Sequence, residues 1–405
     1  MPRQALRPSS GRGQTERRTT ITTLHSGRDL EADVLLCIAR LPLITASDLA
    51  RALWADTDDV RRALEALLRH GWIERLRLHP ANQPGAIEAH VLREVAIPAF
   101  SQTFGLDEDE VRRGWPVRRG DALDRIAALE ITQSINRFLA GVARDYPVDA
   151  EPDPDDELIL PRLVDCRALP RRRQGDFWWL PLMDGYGYFS FPKGDRHPFF
   201  LAWDRESAPE QHRRARVNAW YRVWEYDDPA ILIVCASPHE RRQWEEAITR
   251  AGRRRQVDPR AAFVYVNDAL GDSPTDHCRS LGRDDPWDLS YSVLCPNTLY
   301  FNLPKAPRLD LIDRGVAERT PSLDEWARRR LASFRGSARD RAAAVRFTIE
   351  RLHWQVLSEL VRHPYLTAGD LAVRLGEAPE RIDQLLSDLD RLDLTASISE
   401  GAPSH

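Results

Sequence analysis

The sequence predicts a mixed α/β protein of α+β character, in which a central sheet domain lies between two copies of a small helical unit. Three observations predict it. Residues 29–97 read as three helices followed by two strands; the stretch LPLITASDLARAL at 41–53 returns as HPYLTAGDLAVRL at 363–375; and apolar strands alternate with helices across 158–270.

At 405 residues the chain exceeds one ordinary core, and a prior of ~150 residues per domain gives two or three domains. A hydrophobic content of 42% with 30% charge is that of a soluble globular chain. No apolar run approaches the ~20 residues that a membrane helix needs, so no membrane partner is expected. Residues 1–28 set Arg3, Arg7, Arg12, Arg17, Arg18 and Arg28 against Glu16 alone, which reads as a basic, disordered tail. That tail lacks the apolar centre of a signal peptide, and a cytoplasmic location is the expectation.

Five scattered cysteines without a CxxC pair are expected to be buried free thiols. TDHC at 275–278 lacks four spaced ligands, so zinc is not expected. No GxxxxGK[ST] or GxGxxG is present, which removes support for nucleotide hydrolysis. The net charge of -4 means that any nucleic-acid surface must be a local patch.

In residues 29–97, Val34, Leu35, Ile38 and Leu41 form a helical stripe. Thr45 and Asp48 have capping-box spacing before a second helix with Leu49, Ala50 and Leu53 inward. A third helix begins near Thr57, packs Val60, Ala63, Leu64, Leu67 and Leu68, and ends at Gly71. WIERLRL and AIEAHVLREV then read as strands around a turn with Pro, Asn and Gly. This order, with the short WADT turn, is that of a winged helix-turn-helix.

Residues 345–405 carry the second copy. At a constant offset of 322, Thr45 falls on Thr367, Asp48 on Asp370, Leu49 on Leu371, Val60 on Ile382, Leu64 on Leu386 and Leu67 on Leu389. These are cap and core positions, so the repeat is one of fold, without a second wing strand. The exposed face of the third helix differs. It offers Arg61, Arg62, Glu65 and Arg69 in the first copy, but Asp383, Gln384, Ser387, Asp388 and Arg391 in the second. Phosphates repel an acidic face, so the first copy is the expected DNA reader, with Arg61, Arg62, Arg69, Arg75 and Arg77 as contacts. Asp58 and Asp59 count against this, although acids there also suit the helix dipole. The second copy suits a homodimer contact or another protein partner.

Residues 98–157 read as a helical connector, with one long amphipathic helix over 121–144, and then an acidic, proline-rich linker. Within 158–270, DFWWLPLMDGYGYFSF, PFFLAWD, AILIVCAS and AAFVYVND read as strands, and EQHRRARVNAWYRVWEY and PHERRQWEEAITRAG as helices. Residues 271–344 read as irregular and rich in Pro, Asp and Arg.

Two acids at strand ends across a hairpin, Asp184 and Asp204, could share Mg2+ or Mn2+ for phosphodiester cleavage. Tyr221 and Tyr226 would be the hydroxyls for a nucleophile, but Trp220 and Trp224 beside them point to packing. Arg213, Arg214, Arg216 and Arg222 form a basic helix face, solvated or in contact with phosphate.

The N-terminal winged helix, the connector helix, MDGYGYFSF...GDRHPFFLAWDRES and DPAILIVCASPHERR together resemble the replication-relaxation family of mobile-element proteins. The resemblance covers most of residues 30–270, through the order and spacing of elements. It implies a restriction-endonuclease-like core of the PD-(D/E)xK type, related to plasmid mobilisation relaxases. In that pattern Asp184 falls on the first acid, with Met183 in place of proline. Ala202 falls where a glutamate belongs, Asp204 falls on the third position, and Lys193 serves only if the register shifts. The missing glutamate implies a degenerate core without catalytic activity, needing no cofactor. The implied role is a DNA-binding protein in replication, mobilisation or transcriptional control, acting on double-stranded and also on single-stranded DNA. A metal-dependent nuclease or relaxase, and a winged-helix protein-interaction module, stay open as alternatives.

Overall fold

The computed structural model describes residues 29–80, 85–145, 162–168, 183–190, 196–204, 210–223, 230–256, 260–281, 309–332, 338–363, 365–392 and 394–395. The basic tail, the acidic linker, Lys193, Tyr226 and Cys295 lie outside the described residues.

The N-terminal unit is built from α1 (Leu30–Arg40), α2 (Ala46–Leu53) and α3 (Thr57–His70), then β1 (Ile73–Leu78) paired antiparallel with β2 (Ile87–Leu92). Each helix opens on a side-chain cap. Asp29 accepts from Glu31 N, Thr45 from Asp48 N and Asp56 from Asp58 N. Gly71 ends α3 at φ 79°, where a Cβ would be strained. A bridge between Ile44 and His90 ties the loop before α2 to the two-stranded ribbon. Along β1, Leu76 and Leu78 are buried while Arg75 and Arg77 point to water.

The connector holds α4 (Ile97–Thr103) and α5 (Glu108–Gly114), and the long helix expected over 121–144 is broken in two. α6 (Arg119–Ala127) and α7 (Leu129–Asp145) part at Ala128, which leaves helical geometry at φ -114°, ψ 47°. The break aims the two halves at different surfaces. Leu123, Ile126 and Leu129 pack beneath the ribbon with Leu76, Leu78 and Val91, while Ile135, Phe138, Leu139 and Val142 pack on the central sheet. The Thr132 hydroxyl donates to Arg125 O at 3.0 Å, satisfying a carbonyl beside the break.

The sheet has six strands in sequence order: β3 (Arg162–Ala168), β4 (Gly185–Ser190), β5 (Arg196–Trp203), β6 (Ala230–Cys235), β7 (Ala261–Tyr265) and β8 (Arg279–Ser280). β5, β6 and β7 run parallel and the other neighbours antiparallel. α8 (Glu210–Val223) and α9 (Pro238–Arg255) are the crossovers. β3 was not among the expected strands, because Arg162, Asp165 and Arg167 interrupt its apolar pattern. β7 ends earlier than expected, since the chain turns into α10 (Val266–Ala269).

Alternation divides the sheet between two cores. Phe199, Leu201, Trp203, Leu232 and Val234 join α7 and the N-terminal unit in one apolar cluster, while Phe200, Ala202, Ile231, Ile233 and Phe263 meet α8 and α9. Trp220 of α8 stacks on Trp244 of α9 at 5.3 Å, a contact worth about 0.5–1.5 kcal/mol beyond its buried area.

The segment 271–344, expected to be irregular, is largely helical where described. α11 (Arg314–Arg319), α12 (Leu323–Ala332) and α13 (Ala338–Thr348) follow the last strand. Ala343 and Phe347 of α13 fill the cluster beneath the ribbon, and Arg346 O accepts from His79 N at 2.8 Å. Arginine and aspartate dominate the segment, so its few inward residues leave little periodic signal.

The C-terminal unit comprises α14 (Arg351–Arg362), α15 (Ala368–Leu375) and α16 (Pro379–Arg391) around a cluster of its own, with Val356, Leu371, Ile382, Leu385 and Leu389. The internal repeat extends to caps and backbone. Thr367 caps α15 as Thr45 caps α2, and Gly376, at φ 69°, occupies the place of Trp54, at φ 53°. Trp54 holds that unfavourable conformation with its indole donating to Arg144 O at 2.8 Å.

Candidate functional site

The two acids singled out in the central domain flank the β4–β5 hairpin. Asp184 sits just before β4, its amide donating to Leu201 O at 2.9 Å, and Asp204 just after β5, its amide donating to Val234 O at 2.9 Å. Backbone pairing thus places both at one end of the sheet. What faces them is a pair of arginines from α8.

Arg216 donates Nη2 to Asp184 Oδ2 at 2.7 Å, and the same oxygen accepts from Trp203 N at 2.8 Å. Arg213, one turn earlier, donates Nε to Asp204 Oδ2 at 2.9 Å. Arg213 also donates to Gln243 and lies 3.6 Å from Glu240, both on α9. Glu240 is itself fixed by a capping box with Ser237. Asp204 is 5% exposed and Arg213 4%. Burial pushes the Asp204 carboxyl above its ordinary range, with Trp244 and Arg213 pulling it back down.

This corrects the reading of α8. Only Arg214 behaves as a solvated residue, pairing with Glu210 on its own helix. Arg213 and Arg216 point inward, continuing the stripe of Val217 and Trp220 at three- and four-residue spacing. That spacing was the signal in the sequence. The stripe is apolar at one end and basic at the other.

The donor set does not fit a divalent cation. A guanidinium occupies the place beside each carboxylate where a cation would bind, and Ala202, fully buried against α8, offers no oxygen. Among the described residues no group of three or more His, Cys, Asp or Glu side chains is placed to hold a metal. Tyr221 is buried in the same apolar cluster as Trp220. Cys166, Cys235 and Cys278 are buried free thiols and Cys37 is partly buried; burial pushes the Cys37 thiol up to about 12.

The second candidate is the outer surface of the N-terminal unit. Arg61, Arg62, Arg69, Arg75 and Arg77 are all exposed. Arg75 of β1 reaches Glu65 of α3 at 2.8 Å, so strand and helix present one continuous surface. The arginines are not bare, however. Arg61 pairs with Asp58 at 2.9 Å and Arg62 with Asp59, each within one helical turn. Five arginines face Asp58, Asp59, Glu65 and Glu88, leaving a slight positive balance. The matching helix of the C-terminal unit sets Glu380, Asp383, Asp388 and Asp390 against Arg381 and Arg391, leaving an acidic one.

Fold and site thus define a mixed α+β protein with a six-stranded sheet, two internally related three-helix units and an acid pair closed by arginines. Comparison with protein-family models, curated proteins and solved structures gives no match. Among the described residues, no helix is long and apolar enough to cross a membrane.

Proposed function

We propose that this protein binds DNA through α3 and the β1–β2 ribbon, as a winged helix-turn-helix, and that its central domain is a non-catalytic, restriction-endonuclease-like scaffold. The observation that carries the reading is the Arg75–Glu65 contact. It joins the exposed arginines of ribbon and helix into one surface, as groove and backbone contact together require. Ion pairs at that surface are exposed and worth about 0–1 kcal/mol each, so phosphates can displace their acidic halves.

The order α7, β3, β4, β5, α8, β6 agrees with the core that the resemblance to the replication-relaxation family implies. The arginine pairing of Asp184 and Asp204, together with Ala202, favours a scaffold over a metal-dependent nuclease. A role in replication, mobilisation or transcriptional control of a mobile element goes with that resemblance.

The test is binding of the full chain to labelled duplex and single-stranded DNA over a salt series with Mg2+ present, followed by inspection of the DNA for breaks. Salt-sensitive duplex binding that Arg61→Ala and Arg62→Ala weaken, with the DNA intact, is the expected result. Binding that is absent at low salt would overturn the DNA reading. Breaks that vanish in Asp184→Asn would overturn the scaffold reading.

A further inference from the structure

We infer that the protein forms a two-fold dimer through its C-terminal unit, with α15 of two chains packed antiparallel about Val373. This goes beyond the DNA-binding reading and does not depend on it.

Six large apolar side chains are exposed among the described residues, and Val361, Tyr365 and Val373 are the most so, at 82%, 84% and 84%. The internal repeat shows what such a face is for. Their counterparts at the 322-residue offset are Ala39, Leu43 and Arg51. Ala39 and Leu43 are buried, and Arg51 donates to the carbonyls of Gly271 and Asp272. The cover over Leu43 and α2 is α7. Gln133 donates to Leu43 O at 2.6 Å, Trp54 donates to Arg144 O, and Gly141 lets the helices approach closely. Over α15 no described element lies in that position.

The uncovered face is also not a mere remnant. Where α2 carries Arg51, α15 carries a valine, and where α1 buries Leu36, α14 exposes Ser358. Polar character has entered at one position and apolar character at another. An exposed valine between charged residues has a hydrophobic gain only when it is covered.

The second chain is the occupant that fits the charges. Gly369, Val373 and Gly376 follow one another at helical spacing, and a Cβ at Gly376 would meet nothing within 4 Å. A second helix can therefore come as close here as α7 comes to α2. Asp370 and Arg374 flank this seam on the same side, both exposed. In an antiparallel two-fold pair a flank meets its own counterpart, which sets Asp370 of each chain opposite Arg374 of the other. Tyr365 and Val361 extend the apolar contact at the helix ends.

Light scattering of the full chain across a concentration series should give a mass of twice 46.3 kDa. Val373→Arg and Tyr365→Ser should return it to the single-chain mass, with at least a tenfold weaker dimer and an unchanged far-UV spectrum. Because a variant can fail for reasons of folding, Val373→Cys supplies a second readout, and mild oxidation should cross-link it while leaving the wild type uncross-linked. A wild-type monomer at every concentration overturns the proposal. So does a dimer that survives both substitutions, which would place the contact elsewhere. A monomer in which Val373→Cys resists thiol reagents also overturns it, since another part of the same chain would then cover the face.

Discussion

Arg213 of α8 donates Nε to Oδ2 of Asp204 at 2.9 Å, with both side chains almost wholly withdrawn from water. A buried acid at a strand end is the kind of group that would serve a metal. Here its charge is taken up by a structural partner, and that partner anchors α8 to the sheet and to α9.

Removing one half of this pair should be costly. Arg213→Ala leaves the Asp204 carboxylate buried without its partner, and a loss of about 3–5 kcal/mol in urea unfolding is expected. In the double variant with Asp204→Ala, the loss should be smaller than the two single losses added. A single-variant loss below about 1 kcal/mol would mean that water reaches the site and that the pair does not hold the helix.

On the outer surface of the N-terminal unit, the carboxylates that hold the arginines should restrain DNA affinity. Asp58→Asn with Asp59→Asn is expected to tighten duplex binding several-fold at low salt, while Arg77→Ala weakens it on all sequences alike. Fluorescence anisotropy on two unrelated duplexes measures both. Unchanged affinity in the aspartate variant would separate α3 from the phosphates.

Gly141 is where α7 passes closest to its neighbours. A Cβ there would lie 2.8 Å from Pro274 Cγ and 3.0 Å from Arg51 Nη2. The arginine can swing away but the proline ring cannot, so Gly141→Ala should cost about 1–3 kcal/mol through overpacking, despite the better helix propensity of alanine. A melting temperature equal to that of the wild type would show that the 3-10 turn at Pro274–His277 yields.

Acid should destabilise the protein through its buried histidines. Burial lowers His79, His90 and His353 below the usual 6.5. Each binds its proton more weakly folded than unfolded, so its contribution is present in full above 6.5 and is lost as pH falls through the lowered values. His353 Nδ1 also accepts from Glu350 N at 3.1 Å, a bond that protonation at that nitrogen breaks. Urea midpoints measured from pH 8 down to 5 should fall, and less steeply in His90→Phe. A midpoint independent of pH in that window would show that the imidazoles are hydrated.

The sequence by itself determined the N-terminal unit, its caps and the fact of its repetition. Local chemistry sets these features: Thr45 and Thr367 cap whatever helix follows them, and Gly71 stops α3 wherever α3 packs. It also showed two acids at the ends of one hairpin and a gap at Ala202. Tertiary structure alone decided which side of α8 is inside, that the connector helix breaks at Ala128, and that part of the stretch before the second unit folds as helices under the ribbon. Each depends on contacts between residues far apart in the chain, as between Arg346 and His79 or Asp184 and Arg216. Charge has no preferred side until a partner is brought to it. Composition showed that arginine is plentiful, and only packing distinguished the arginines that neutralise buried acids from those that face solvent.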